Sequence, residues 1–275
     1  MDGSRTVEEL EMDLLLEAVF QHLGYDFRGF NRAQLRQKLF TLMQDQGAAT
    51  ISALQDRVLH DAYAGQALLR TFGSQEATLF ADPDHLRVLR SHMDAHFRSH
   101  PNPRIWLAEC GSPHAAWTIA IVLEELNLYD KTLVFATDAN AELAHHGWQT
   151  PIPARSVADC EDNYRRSGGA NRLAAYFEGD AEQVNLQPRL RKNIVWAQHN
   201  LVTDASFNEF QLIICRGALA DYGPLLCSRT LRLLHDSLSP LGILSIDATS
   251  AVVDQYLANA YKPIDSQIGV YKRMV

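Results

Sequence analysis

Apolar residues recur every three or four positions in "VEELEMDLLLEAVFQHL", "RAQLRQKLFTLMQDQ", "ISALQDRVLHD", "AYAGQALLRTF" and "PDHLRVLRSHMDAHF", all lying between Val7 and Phe97. This is the period of a helix that buries one face, so residues 1–100 are expected to form a small all-helical domain. "SHPNPR", Ser99 to Arg104, interrupts the period with two prolines, and the domain boundary is placed there. Beyond it the texture changes. Short apolar runs, "IWLAEC", "LVFATD", "NIVWAQ", "QLIICR", "GILSID" and "IGVYKRM", alternate with helical segments. Runs apolar on both faces and separated by helices predict a parallel sheet covered on both sides. Residues 101–275 are therefore expected to form a doubly wound α/β domain. A long polar, glycine-containing stretch near 161–192 reads as an insertion between sheet elements.

In such a sheet, ligands sit outside the carboxyl ends of the strands, which directs attention to the residue following each run. After the first run comes Glu109-Cys110-Gly111-Ser112-Pro113-His114. Ser112 suits a helix N-cap and Pro113 the first helical position. The turn has no GxGxxG and no GKS/T, so it carries neither a dinucleotide fingerprint nor a P-loop. The second run ends in Asp138, placed either to accept ribose hydroxyls or to cap the following helix. The third leads to Asn200, which suits an adenine edge or an Asx-turn. The fourth ends at Arg216, for which an ion pair at the domain interface is the ordinary role.

Charge narrows the picture. With 25 Lys and Arg against 33 Asp and Glu, the net charge is -8, without the basic excess of a nucleic-acid-binding domain. The exception is local: Arg28, Arg32, Arg36 and Lys38 occur with no acidic residue from Phe27 to Met43. On one helix they would form a basic stripe able to steer an acidic partner, or a solvated face. Four cysteines without a CxxC pair suit a reducing cytosol. The N-terminus has no signal-peptide pattern, and no run approaches the roughly 18 apolar residues of a membrane span, so a cytoplasmic protein is expected. His92, His96 and His100 repeat every four residues. Three stacked turns exceed what one ion spans and no second cluster completes a site, so no metal is expected.

Taken in order, these segments resemble the CheR chemotaxis-receptor methyltransferases from about residue 10 to the C-terminus. "GYDFRGFNRAQLRQKL" resembles the family's second-helix motif, "EATLFADP" its ETxFFRDP segment, and "IWLAECGSPHAAWTIA" its WSAACSTGEEPYSIA. "FATDANAELAHHG" is similar to ATDID…LxxAxxG, "HNL" matches directly, "IICRGALADY" resembles FCRNVxIYF, and "LHDSLSPLGILSID" resembles the L…L.PGG.L.LG ending. The resemblance implies an N-terminal helical domain joined to a Rossmann-like domain that takes S-adenosylmethionine and methylates receptor glutamates. It implies cofactor contacts at Glu76, Cys110, His114, Asp138, Asn200 and Leu201, with Asp138 on ribose and Asn200 and Leu201 beside adenine. It also implies a catalytic position at Arg216, and an acidic receptor helix as partner for Arg28, Arg32, Arg36 and Lys38.

The departures fall at sites the chemistry uses. The family's threonine and arginine in ETxFFRDP are Ala77 and Ala81, its GEE is Pro113-His114-Ala115, its CRN asparagine is Gly217, and its later tyrosine aligns with Asp221. Methyl transfer to a carboxylate needs no general base, so these losses act on alignment and cofactor affinity. Asp221 would repel a glutamate if it faced the substrate. His114, if neutral, and Glu109 stand near enough in sequence to replace part of the acidic pair. The alternative to an active enzyme is a catalytically degenerate module that binds a signalling partner without methyl transfer.

Overall fold

The structure is a computed structural model that describes residues 6–73, 78–140, 151–206, 209–247 and 251–274, with backbone alone for 251–254. The five helical segments form as their periods require: α1 Val7–Leu23, α2 Arg32–Gln46, α3 Ile51–His60, α4 Ala62–Phe72 and α5 Pro83–Phe97. Their starts are set by side-chain caps. Thr6 and Glu9 make a reciprocal capping box on α1, and Asn31, Thr50, Asp61 and Asp82 accept first-turn N–H groups of α2 to α5. Helices α1 to α4 converge on one core containing Leu15, Leu16, Val19, Leu35, Leu39, Leu54, Leu68 and Phe72. Each buried Leu or Phe contributes roughly 1.5–3 kcal/mol.

Helix α5 belongs to the other unit. Its apolar face, Leu86, Leu89, Met93 and Phe97, packs into the core of the sheet. The change of core therefore falls between Phe72 and Pro83, not at Ser99–Arg104. Periodicity fixed α5 as an amphipathic helix but says nothing about which core its face joins.

The main sheet has seven strands: β1 Arg104–Leu107, β2 Leu133–Asp138, β6 Ile194–Gln198, β7 Phe210–Cys215, β8 Leu238–Ile246, β9 Tyr261–Asp265 and β10 Val270–Arg273. Their order is β6-β2-β1-β7-β8-β10-β9. The first five run parallel, with α6 Pro113–Glu125 and α9 Pro224–Ser237 among the crossovers. The last two are antiparallel, which corrects the all-parallel expectation for "IGVYKRM". The strand order reverses at β1 and β7, so the crevice of this doubly wound sheet opens above their carboxyl ends. Helix α10 Ala251–Ala260 precedes β9.

Between β2 and β6 lies the expected insertion, and it begins earlier than 161. Strand β3 Ile152–Pro153, helices α7 Ala154–Asp159 and α8 Glu161–Arg166, and strands β4 Phe177–Gly179 and β5 Gln183–Leu186 build a three-stranded antiparallel sheet in the order β3-β5-β4.

The helical domain docks on the loop after β7. Asn31 N–H donates to the Asp221 carbonyl at 2.8 Å, Gly223 N–H to the Gly29 carbonyl at 2.9 Å, and the rings of Phe30 and Tyr222 lie 4.9 Å apart. A Cβ at Gly223 would stand 2.8 Å from the Gly29 carbonyl oxygen, so this approach requires glycine.

Candidate functional site

Above β1 and β7 lies an open cavity of about 170 Å³, walled by Ala81, Asp82, His85, Glu109, Cys110 and Arg216 among others. It is the switch-point crevice that the topology predicts. Pockets enclosing a whole drug-sized ligand run to roughly 300–1,000 Å³, so this space suits one end of a longer ligand. One wall is the 78–82 segment leading into α5. Phe80 is fully buried at φ 53° and its N–H donates to Thr118 Oγ1 at 3.2 Å. Asp82 caps α5 and pairs with Arg216 at 2.9 Å.

The turn after β1 is built from two left-handed residues, Glu109 at φ 52° and Gly111 at φ 65°. Gly111 N–H donates to Asp138 Oδ2 at 2.9 Å, while Asp138 Oδ1 accepts from Asn140 N–H at 2.8 Å. Asp138 thus organises both turns, and its carboxyl is still held above the usual range because burial disfavours the anion. Glu109 is raised further, first by burial and then by the Asp138 carboxylate beside it. Its carboxyl accepts backbone N–H groups from Leu201, 3.5 Å from Oε1, and from Ala139. Glu109 and Asp138 are in no ion pair with any described residue. Two adjoining carboxylates without a cation, at the open end of a sheet, favour a positively charged ligand.

Arg216 is the one Lys or Arg in the cavity wall. Its guanidinium donates to Asp82 Oδ2 at 2.9 Å and to the Ile268 carbonyl at 3.0 Å, tying β7 to the start of α5. Arg216 is therefore in an ion pair, but within the sheet unit and not across the domain interface, and a guanidinium has five N–H groups, so two such bonds do not exhaust it. His85 is buried beside it with Nε2 at 2.6 Å from Ser245 Oγ. Burial and the Arg216 charge push its pKa down to about 3, so it is neutral at physiological pH.

The other expected site residues separate. Cys110 is buried, its Sγ 3.1 Å from the Ser112 carbonyl and its thiol pushed up to about 12 by burial, so it packs rather than reacts. His114 is half-buried in the first turn of α6, Nδ1 3.3 Å from Ser112 Oγ, and is not a wall of the cavity, whereas Ala115 and Thr118 are. Asn200 Oδ1 accepts from Val202 N–H at 2.8 Å, the Asx-turn of its two sequence readings. Leu201 is fully buried in the core beneath the loop, so its side chain does not face a ligand in this state. Glu76 and Ala77 lie outside the described residues.

The basic residues of the stripe are each paired with one of the protein's own acids, while Arg28, Arg32 and Arg36 stay 40–59% exposed. Arg28 precedes the Asn31 N-cap and so is not on α2. It pairs with Glu17 at 2.8 Å and Asp26 at 2.9 Å; Arg32 pairs with Asp13 and Arg36 with Glu8, each at 2.6 Å. Glu8, Asp13 and Glu17 come from α1 and Asp26 from the loop that follows it. Lys38 reaches Asp221 at 2.6 Å, so Asp221 is held toward the helical domain and the predicted repulsion of a substrate glutamate has a local counter-charge. Gly217, at φ 89°, donates its N–H to both oxygens of Asp247 at 3.0 and 2.9 Å. His100 lies past the end of α5, and among the described residues no group of three metal-ligating side chains forms. Asp82 and His85, both in the cavity wall, were the neighbours that sequence reasoning missed. Only Asp82 carried a signal, as an N-cap before Pro83.

A parallel sheet with its crevice at the strand reversal, a carboxylate at the end of β2 and an acidic turn after β1 define a Rossmann-like protein for a nucleoside-bearing, cationic cofactor. The comparisons with known proteins name the class. Residues 75–268 match the family described as "CheR methyltransferase, SAM binding domain" and residues 10–72 that described as "CheR methyltransferase, all-alpha domain". The chain belongs to the CheR methyltransferase family, whose cofactor is S-adenosylmethionine. It is 30% identical over 265 residues to a Pseudomonas putida protein named as a methyltransferase, Cher3, covering 96% of this chain and 97% of that one. It is 23% identical to a chemotaxis protein methyltransferase of Listeria innocua, over 90% of this chain and 93% of that one. A second Pseudomonas putida relative, chemotaxis protein methyltransferase Cher2, is 22% identical over 78% of this chain and 80% of its own. The family boundary near residues 72–75 agrees with the change of core before α5. Among the described residues no helix is long and apolar enough to cross a membrane.

Proposed function

We propose that the chain transfers the methyl group of S-adenosylmethionine to a glutamate carboxylate on an acidic helical segment of a chemoreceptor or related signalling protein. The observation carrying this reading is the division of charge across one crevice. Glu109 and Asp138 stand without a cation on the cofactor side, and Arg216 is the one guanidinium in the cavity wall. When bound, the cofactor supplies a methyl group on a cationic sulfur.

The rest follows from this chain's residues. The acceptor carboxylate is already anionic, so no base is needed: its oxygen forms the O–C bond as the C–S bond breaks, both charges vanish, and no proton moves. Arg216, fixed by Asp82, can hold the acceptor oxygens, and alignment supplies the catalysis. Asp138 holds the turns on which the ribose end rests. The four cysteines are free and buried, which supports a reducing compartment, the cytoplasm.

Purified chain incubated with methyl-labelled S-adenosylmethionine and acidic receptor-helix peptides is expected to yield a base-labile ester that disappears when the acceptor Glu is changed to Gln. A base-stable label overturns the carboxylate acceptor. The second reading is a binding module without turnover. It is favoured by the use of Asp221 and Lys38 as a domain tether and by Pro113, His114 and Ala115 where the family has acids. Cofactor binding without labelled ester on any acidic helix would select it.

A further inference from the structure

The substitutions in the turn after β1 run in two directions. The family's GEE acids are gone at Pro113, His114 and Ala115, but where the WSAACSTGEEPYSIA pattern has its second alanine of the AAC triplet, this chain has Glu109. Its only structural duty is to accept the backbone N–H groups of Leu201 and Ala139, which asks for an acceptor but not for a charge. The residue is left-handed at φ 52°, a conformation that costs a side-chain-bearing residue roughly 1–2 kcal/mol. Its carboxylate is placed beside that of Asp138 and forms no ion pair with a described residue. The one guanidinium in the same cavity is engaged by Asp82. Two desolvated carboxyls side by side do not both ionise without a cation, so Glu109 keeps its proton in the empty protein, and a cationic ligand favours its anion.

The cavity adds shape to the charge. Its volume of about 170 Å³ fits one end of a long ligand, and its walls bring Glu109 together with Ala81 and Ala115, two positions where the family carries charged side chains. Room once filled by an arginine and an acid is open, and the acid is supplied from the neighbouring strand end instead.

We infer that Glu109 binds the cationic methionine end of S-adenosylmethionine in this chain, replacing from the tip of β1 the acidic pair missing from the first turn of α6. The inference rests on the cofactor occupying this crevice, as the proposed function requires.

Calorimetric titration of the full chain with two ligands tests it. S-adenosylhomocysteine keeps the amino-acid end, and 5′-methylthioadenosine lacks it. Glu109→Gln and Glu109→Ala are expected to weaken S-adenosylhomocysteine by roughly 10- to 100-fold, the worth of a hydrogen-bonded charge. Both variants should bind methylthioadenosine within about twofold of wild type, which also reports an intact fold. Unchanged affinity for both ligands, or equal loss for both, overturns the role of Glu109 while leaving the cofactor site standing. A wild-type chain that binds neither ligand removes the cofactor reading and the inference together.

Discussion

The carboxyl edge of the sheet and the docked face of the helical domain treat charge in opposite ways. At the helical domain Arg28, Arg32, Arg36 and Lys38 each meet a carboxylate at 2.6–2.9 Å, and the acids come from α1, from the loop between α1 and α2, and from the loop after β7. At the sheet edge Glu109 and Asp138 are brought together with no cation between them, and their carboxyls are raised by burial and, for Glu109, by the other's charge. Compensated charges describe a structure complete within itself. Buried carboxyls left without a cation describe one completed by something it binds. The same comparison separates the two halves of the expected site: the cofactor half is left open, and the expected partner stripe is spent on the protein's own acids.

The sharpest way to break this contrast is at Asp138. Its two oxygens organise the turns after β1 and β2 through Gly111 and Asn140, so Asp138→Ala removes both the proposed ribose contact and the positioning of two loops. We expect S-adenosylhomocysteine affinity to fall by about two orders of magnitude in calorimetry, from the loss of one or two charge-assisted bonds. Retention of wild-type affinity would mean that the open carboxylates are structural after all.

A smaller effect separates the two regions by pH. Glu109 has a folded pKa above its unfolded value, so the unliganded chain gains stability below the ordinary carboxylate range and loses it as pH rises through the folded pKa. His85 has the opposite sign. Its folded pKa is down to about 3 against an unfolded 6.5, so its contribution is present above pH 6.5 and is lost as pH falls toward 3. Denaturant titrations from pH 5 to 9 should show Glu109→Gln gaining about 1–2 kcal/mol over wild type at the alkaline end and little at pH 5. His85→Gln should instead soften the decline below pH 6.5. A Glu109→Gln gain that is level with pH would show that the carboxylate is not strained by its surroundings.

Legibility followed the same division between local and distant causes. All five helices of residues 7–97 were readable because period, caps and breakers lie within each segment, and the strand-end rule located Asp138 and Arg216 because it needs only order along the chain. Strands β3 to β5 were not, being two to four residues long in a polar stretch, and β9, "YKPID", carries a proline. The allegiance of α5 was hidden because its apolar face has the same period whichever core it joins. The fate of the basic residues was hidden by distance: Lys38 and Asp221 are 183 positions apart, and nothing near Lys38 announces its partner.

That distant pair gives a further, smaller test. Both side chains are mostly buried, 18% and 20% exposed, so the bond is worth more than a surface pair and less than a buried network. Lys38→Met is expected to cost about 1–2 kcal/mol by leaving Asp221 unpaired. The double variant with Asp221→Leu should recover part of that loss, a coupling read from a double-mutant cycle in denaturant. Strict additivity would show that the tether between α2 and the loop after β7 does not form.

The smallest effect is expected where the contrast predicts least. Arg36 and Glu8 are 59% and 35% exposed, and an exposed pair is typically worth about 0.2–1 kcal/mol, screened by salt. Arg36→Gln should therefore change stability by less than about 0.5 kcal/mol at 0.15 M salt. It should also leave the affinity for an acidic helical peptide unchanged, because Glu8 already neutralises the guanidinium it removes. If Arg36→Gln instead weakens an acidic peptide severalfold, the α1 acids must release their basic partners on binding. The stripe would then be a masked docking surface, and the line between compensated and open charge would have to be drawn between states of the molecule, not between its regions.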